Sequence, residues 1–98
     1  MECEKVKERL LLHQSELNDA GIVHIFLHGS VVRGESTPSS DVDLIADLSR
    51  SKRFTLFDLA GLEARLSDIL EKPVDLSDRR MLKEEVRVRA ERDALLVF

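Results

Sequence analysis

The sequence predicts a single α+β domain, and two observations carry that prediction. Segments of helical period alternate with short segments of strand character, in the order helix, strand, short helical turn, strand, helix, strand, helix, strand. The chain has 98 residues and no break in composition. That is enough for one hydrophobic core and too little for two, so residues 1–98 are expected to form one domain.

Glu4–Asn18 has a helical period: Val6, Leu10, His13 and Leu17 share one face, with Leu11 and Leu12 beside it. Gly21 ends this helix. Ile22–Leu27 is short, β-branched and apolar on both faces, as in a buried strand. His28-Gly29-Ser30 follows, and Gly34–Ser40, with a Gly, a Pro and four hydroxyl residues, predicts a loop. Asp41–Leu48 alternates, with Val42, Leu44 and Ala46 on one side and Asp41, Asp43, Ile45 and Asp47 on the other, which predicts a strand. Thr55 and Asp58 have the spacing of a capping box, and Leu59, Leu62, Leu66 and Ile69 mark the buried face of the helix it opens, ending near Leu70. Pro73 opens a short strand, Val74–Leu76, with Asp75 facing away from its neighbours. Ser77 or Asp78 caps a last helix, about Arg79–Arg92, with Leu82, Val86 and Ala90 inward, and Leu95–Phe98 predicts a final strand.

Composition excludes several classes. The hydrophobic share is 43% and the charged share 35%, a globular balance. The longest apolar run is Ala94–Phe98, far short of a membrane span, and the start lacks a signal-peptide stretch, so a cytoplasmic address is expected. Cys3 is the only cysteine, which removes internal disulfides and cysteine-based zinc sites. The net charge of −4 argues against a duplex nucleic-acid footprint, and four Phe with no Trp or Tyr argue against a base-stacking platform.

The polar residues that carry chemistry fall at strand ends. Gly29-Ser30 ends the first strand and leads into a helical turn, which offers backbone N–H groups and a hydroxyl to a phosphate. Asp41 and Asp43 are two apart, so their side chains point the same way with Cα atoms roughly 6.5–7 Å apart. Two such carboxylates can grip one cation, or two cations about 3.5–4 Å apart. Asp75 from another strand completes a hard-oxygen site that suits Mg²⁺, and three bare carboxylates packed together would be costly without a cation. Each part alone has a plain structural explanation; the combination in this order points to a metal-and-phosphate site. Arg33 is the cation nearest the phosphate turn, placed either to contact phosphate or to pair with Glu35. The cationic residues around 79–92 predict either a solvated charged face or a docking surface for an acidic or nucleic-acid partner.

Two rival motifs fail. Gly29-x-x-x-x-Gly34 begins like a P-loop, but Glu35 stands where its phosphate-binding Lys belongs. Asp41-x-Asp43 begins like an EF-hand loop, but Ile45, Ala46 and Lys52 occupy positions five, six and twelve.

The run from His28 to Leu44, with Gly-Ser, ten residues and then Asp-x-Asp, resembles the signature of the nucleotidyltransferase (DNA polymerase β-like) superfamily. Arg33-Gly34-Glu35 and Ser40-Asp41 are similar to its minimal, single-domain members, the MNT family, and the likeness spans nearly the whole chain. It implies a small mixed sheet of about four strands with helices packed mainly on one face. It also implies that Gly29, Ser30 and Arg33 hold the phosphates of ATP, and that Asp41, Asp43 and Asp75 bind two Mg²⁺ ions and carry catalysis. The third of these, in Pro73-Val74-Asp75-Leu76, helps activate the attacking hydroxyl. His28 stands where this family often has Phe, which implies a packing role. Ser77 stands where an apolar residue is common.

Larger relatives hold the acceptor in a second domain, for which this chain has no room, so a second molecule must bring the hydroxyl. MNT proteins are typically paired with HEPN-domain ribonucleases in toxin–antitoxin modules. The resemblance implies an antitoxin that moves AMP from ATP to a tyrosine of its HEPN toxin. Two alternatives stay open: a small-molecule, aminoglycoside-type nucleotidyltransferase whose homo-oligomer, a dimer, builds the acceptor pocket, and an antitoxin acting by contact alone.

Overall fold

The computed structural model describes residues 3–34 and 41–98. Its elements are α1 (Cys3–Leu12), α2 (Gln14–Asp19), β1 (Ile22–His28), α3 (Ser30–Arg33), β2 (Val42–Leu48), α4 (Leu56–Leu70), β3 (Val74–Asp78), a 3₁₀ turn (Arg79–Met81), α5 (Glu84–Asp93) and β4 (Leu95–Leu96). Among the described residues the strands form one four-stranded sheet in the order β3-β2-β1-β4. β1 runs antiparallel to β2 and β4, while β2 and β3 are parallel. The parallel pair needs a crossover, which α4 supplies. The expected mixed sheet is present.

One face of the sheet forms the core. Ile25, Leu27, Val42, Leu44, Ala46, Val74 and Leu76 pack there with Val6 and Leu10 of α1, Leu17 of α2, and Leu62, Leu66, Ile69 and Leu70 of α4. α4 starts at the predicted capping box: Thr55 N donates to Asp58 Oδ2 (2.8 Å) and Asp58 N donates to Thr55 Oγ1 (3.2 Å). Gly21, at φ +109, turns the chain into β1; a β-carbon there would collide with the Phe54 ring.

The structure corrects several boundaries. The first helix breaks at His13, whose N–H donates to Leu10 O (3.1 Å) in a tighter turn. The break leaves His13 half-exposed while Leu17 stays buried. β1 is not buried on both faces: Ile22, Ile25 and Leu27 are buried, whereas His24 is exposed and Phe26 and His28 are partly covered. β2 begins at Val42, one residue later than expected, and β3 continues to Asp78. The last helix does not start at Arg79. Asp78 instead accepts from Arg80 N (3.0 Å) and caps the 3₁₀ turn, and extended backbone at Leu82 and Lys83 delays α5 to Glu84. Of the three residues expected to face inward from it, only Ala90 is buried; Val86 is 46% exposed. The final strand shrinks to Leu95–Leu96. Most of the Gly34–Ser40 loop, and Glu35 with it, lies outside the described residues. No helix among the described residues is long and apolar enough to cross a membrane.

Candidate active site

Side chains alternate along a strand, so the residues between the core positions share the opposite face. Strand register brings three of them into one row: His28 of β1 pairs with Asp43 of β2, and Asp43 pairs with Asp75 of β3. Neighbouring strands lie about 4.8 Å apart, so the row places an imidazole and two carboxylates side by side. Asp41 adjoins the start of β2, where Val42 N donates to Pro73 O (2.9 Å) and fixes where the parallel pairing begins. The sites of the three predicted carboxylates therefore gather at the mouths of β2 and β3.

The phosphate turn meets this row. Gly29 follows His28 at φ +81, a left-handed conformation that favours glycine. A β-carbon on Gly29 would overlap Asp43 Oδ2, so the Asp43 carboxylate lies against the bare backbone of the turn. The chain then enters α3, with Arg33 N donating to Gly29 O (3.2 Å). The first N–H groups of such a turn have no partner within it, which leaves them for an acceptor outside.

The electrostatics reflect crowding. Burial pushes the Asp43 carboxyl above its ordinary value; Asp75 and Asp41 add to the rise, while His28 and then Arg33 oppose it. His28 is pushed down by burial first and by Arg33, against the pull of Asp43 and Asp75. The charges of His28, Arg33, Asp41 and Asp75 thus all act on the Asp43 carboxyl. As they stand, no three His, Cys, Asp or Glu side chains among the described residues close on one metal position. The donor set nevertheless suits a hard divalent cation. It consists of carboxylates at neighbouring strands, one of which, Asp43, is pushed toward its neutral form first by burial and then by the like charges beside it.

His28, for which the sequence implies a packing role, lies in the same row as the carboxylates. Its place beside Asp43 depends on the antiparallel register of β1 and β2, which no local pattern encodes. The polar spacing of Asp43 and Asp47 on β2 hinted at an open face, but the apolar run of β1 hid its other half. Arg33 sits where its charge acts on Asp43 and His28, as a cation near the turn should.

Comparison with known proteins gives the family and the fold. A family model described as a nucleotidyltransferase domain matches residues 3–97. The protein adenylyltransferase MntA of Thermococcus cleftensis is 32% identical over 95 residues, covering 96% of this chain and 94% of that protein. A solved structure named provisionally as a minimal nucleotidyltransferase superposes with a TM-score of 0.81 at 32% identity, over 97% of this chain and 95% of that one. The same fold recurs at 16% identity and a TM-score of 0.70 in a complex of a tri-AMPylated Shewanella oneidensis HEPN toxin with its MNT antitoxin, over 97% of this chain and 71% of that one.

Proposed function

The chain belongs to the nucleotidyltransferase domain family, and on that premise we propose that it transfers AMP from ATP to a tyrosine hydroxyl of a HEPN-domain toxin and so acts as the antitoxin. The observation that carries this reading is the contact of the Gly29 turn with Asp43, with Asp75 next to Asp43 in register. A phosphate held by the turn is thereby set beside the carboxylates. The name of the Thermococcus relative supports AMP transfer to protein, and the Shewanella complex supports a HEPN toxin as acceptor.

The residues divide the work as follows. Gly29 and Ser30 bind the triphosphate through the turn, and Arg33 adds a positive charge beside it. Asp41, Asp43 and Asp75 would hold two Mg²⁺ ions, which would supply charge neutralisation on the triphosphate and acidify the attacking hydroxyl. Mg²⁺ is commonly held by one or two carboxylates together with substrate phosphates, so an all-protein cage is not required. Asp75, exposed at the start of β3, takes the proton of the tyrosine hydroxyl. The phenolic oxygen forms a bond to the α-phosphorus, the bond from that phosphorus to the bridging oxygen breaks, and pyrophosphate leaves. The acquired phosphodiester adds negative charge and bulk to the toxin, which opposes RNA binding there.

The test is label transfer. The protein is incubated with Mg²⁺, ATP labelled at the α-phosphate and host lysate, in parallel with Asp43→Ala. A labelled protein band absent with the variant, identified by mass as a HEPN protein modified on tyrosine, is the expected result. Label found only in small molecules would favour the aminoglycoside-type reading. No metal-dependent label in any fraction would favour an antitoxin acting by contact.

A further inference from the structure

The face of the sheet that carries His28, Asp43 and Asp75 has a second polar feature at its other end. His24 is four residues back along β1 from His28, roughly 13 Å along the strand, and pairs with Asp47. Beside them opens a cavity of about 550 Å³ lined in part by His24, Arg50, Arg79, Arg80 and Arg87. None of these residues belongs to the candidate active site. The volume lies in the range of small-ligand pockets, roughly 300–1,000 Å³. Four arginines share this cavity with two carboxylates, Asp47 and Glu91, in a chain whose net charge is −4, so its lining is cationic on balance.

The four are not equivalent. Arg79 is fixed: its Nη2 donates to Asp47 Oδ2 (2.9 Å), its Nε lies 2.7 Å from Asp47 Oδ1 in the same ion pair, its Nη1 is 3.7 Å from Glu91, and its guanidinium stands 5.4 Å from the Phe26 ring centroid. Arg80 is tied to the buried Asp78 (3.1 Å). Arg87 reaches only Glu91, at 4.0 Å, and Arg50 makes no hydrogen bond or ion pair among the described residues. Two guanidinium forks with unmet donors thus border a cavity whose other two arginines are held in place. A carboxylate has two oxygens and satisfies one fork. A phosphate group has enough oxygens to engage two forks at once, and Arg is suited to that bidentate contact where Lys is not.

We propose that this cavity is a second anion site that takes a phosphoanion, gripped by Arg50 and Arg87 and framed by Arg79 and Arg80. It is separate from the turn at Gly29 and does not depend on the transfer reaction. The phosphate belongs either to a free small molecule or to a nucleic-acid strand, and the two sources are separable by experiment. Inorganic pyrophosphate, and separately a short single-stranded RNA, are titrated into the isotope-labelled protein without divalent cations, at constant ionic strength, while backbone amide shifts are followed by NMR. The expected result is saturable shifts at His24, Arg50, Arg80 and Arg87, with affinity reduced about tenfold or more by each of Arg50→Ala and Arg87→Ala, the loss of one charge-assisted contact. Binding of pyrophosphate assigns a free phosphoanion; binding of the RNA alone assigns a backbone phosphate. The amide spectra of the variants confirm folding in the same measurement. The proposal is overturned by shifts confined to Gly29–Arg33, by shifts spread over every basic residue without saturation, by undiminished affinity in folded variants, or by no shifts with either probe.

Discussion

The Asp43 carboxylate rests on the α-carbon of Gly29, so that any side chain at position 29 would displace it. Gly29 is also left-handed, which costs a residue with a β-carbon roughly 1–2 kcal/mol. Gly29→Ala is therefore expected to act twice. It lowers Tm by about 4–8 °C for each kcal/mol lost in a domain of this size. It also moves Asp43 away from the turn, so AMP transfer falls further than the loss of folded protein explains. Thermal melting and label transfer on the same preparation check both parts. Transfer that falls only in proportion to unfolding would mean that the contact has no part in the chemistry.

Neutralising Asp43 should abolish transfer and stabilise the fold. Its pKa is raised, chiefly by burial and further by Asp75 and Asp41, so the folded protein holds this proton more tightly than the unfolded chain does. The resulting penalty is absent below the unfolded pKa, grows as pH rises toward the folded one, and is complete above it. Asp43→Asn removes it. In metal-free buffer at neutral pH the variant should melt above the wild type, with the gap closing as pH falls below the ordinary carboxylate range. A lower Tm at neutral pH would identify Asp43 as a structural residue.

A surface pair offers the opposite sign. Arg65 Nη2 donates to Glu16 Oε1 (2.8 Å), joining α4 to α2, and this bond, helped by His13, pulls the Glu16 pKa from 4.5 to about 2. The stability that this pair contributes is present above pH 4.5 and is lost as pH falls through about 2. Arg65→Ala should thus lower Tm slightly at neutral pH, by a margin that shrinks in acid and in high salt. A margin independent of pH would assign the effect of Arg65 to packing.

Thr55→Ala separates stability from activity. It removes the hydroxyl that accepts from Asp58 N and opens one side of the capping box. A cost of about 1 kcal/mol is expected, with transfer per folded molecule unchanged, because α4 contributes no residue to the candidate site. Denaturant titration against specific activity checks it.

The parts of this molecule written in local pattern were legible in the sequence. The Thr55–Asp58 box and the Leu62–Leu66–Ile69 face need only neighbours along the chain, and they stand where expected; of the Asp41-x-Asp43 pair, Asp43 lies on β2 as expected while Asp41 falls just before it. What was not legible depends on pairing. His28 joins Asp43 only through antiparallel register, and the Arg79 clamp on Asp47 joins residues 32 apart. The last helix was misjudged because its Arg- and Glu-rich sequence carries little apolar signal, and Asp78 caps a 3₁₀ turn before it. The break at His13 has no signal in the period, since position 13 falls on the same helical stripe as Leu10 and Leu17.

The mixed direction of the sheet also bears on how the site comes into being. β1 and β2 are neighbours in sequence and pair antiparallel, so His28 and Asp43 can meet early, across one connection. Asp75 arrives only after α4 has crossed over and β3 has docked parallel to β2, a contact of long sequence separation that such chains close late. A chain arrested halfway, or one newly emerging during synthesis, carries one half of the carboxylate row and lacks the other. Under the proposed assignment of Asp75, nucleotide chemistry waits for the finished fold, and the onset of AMP transfer during refolding should coincide with the slowest structural phase.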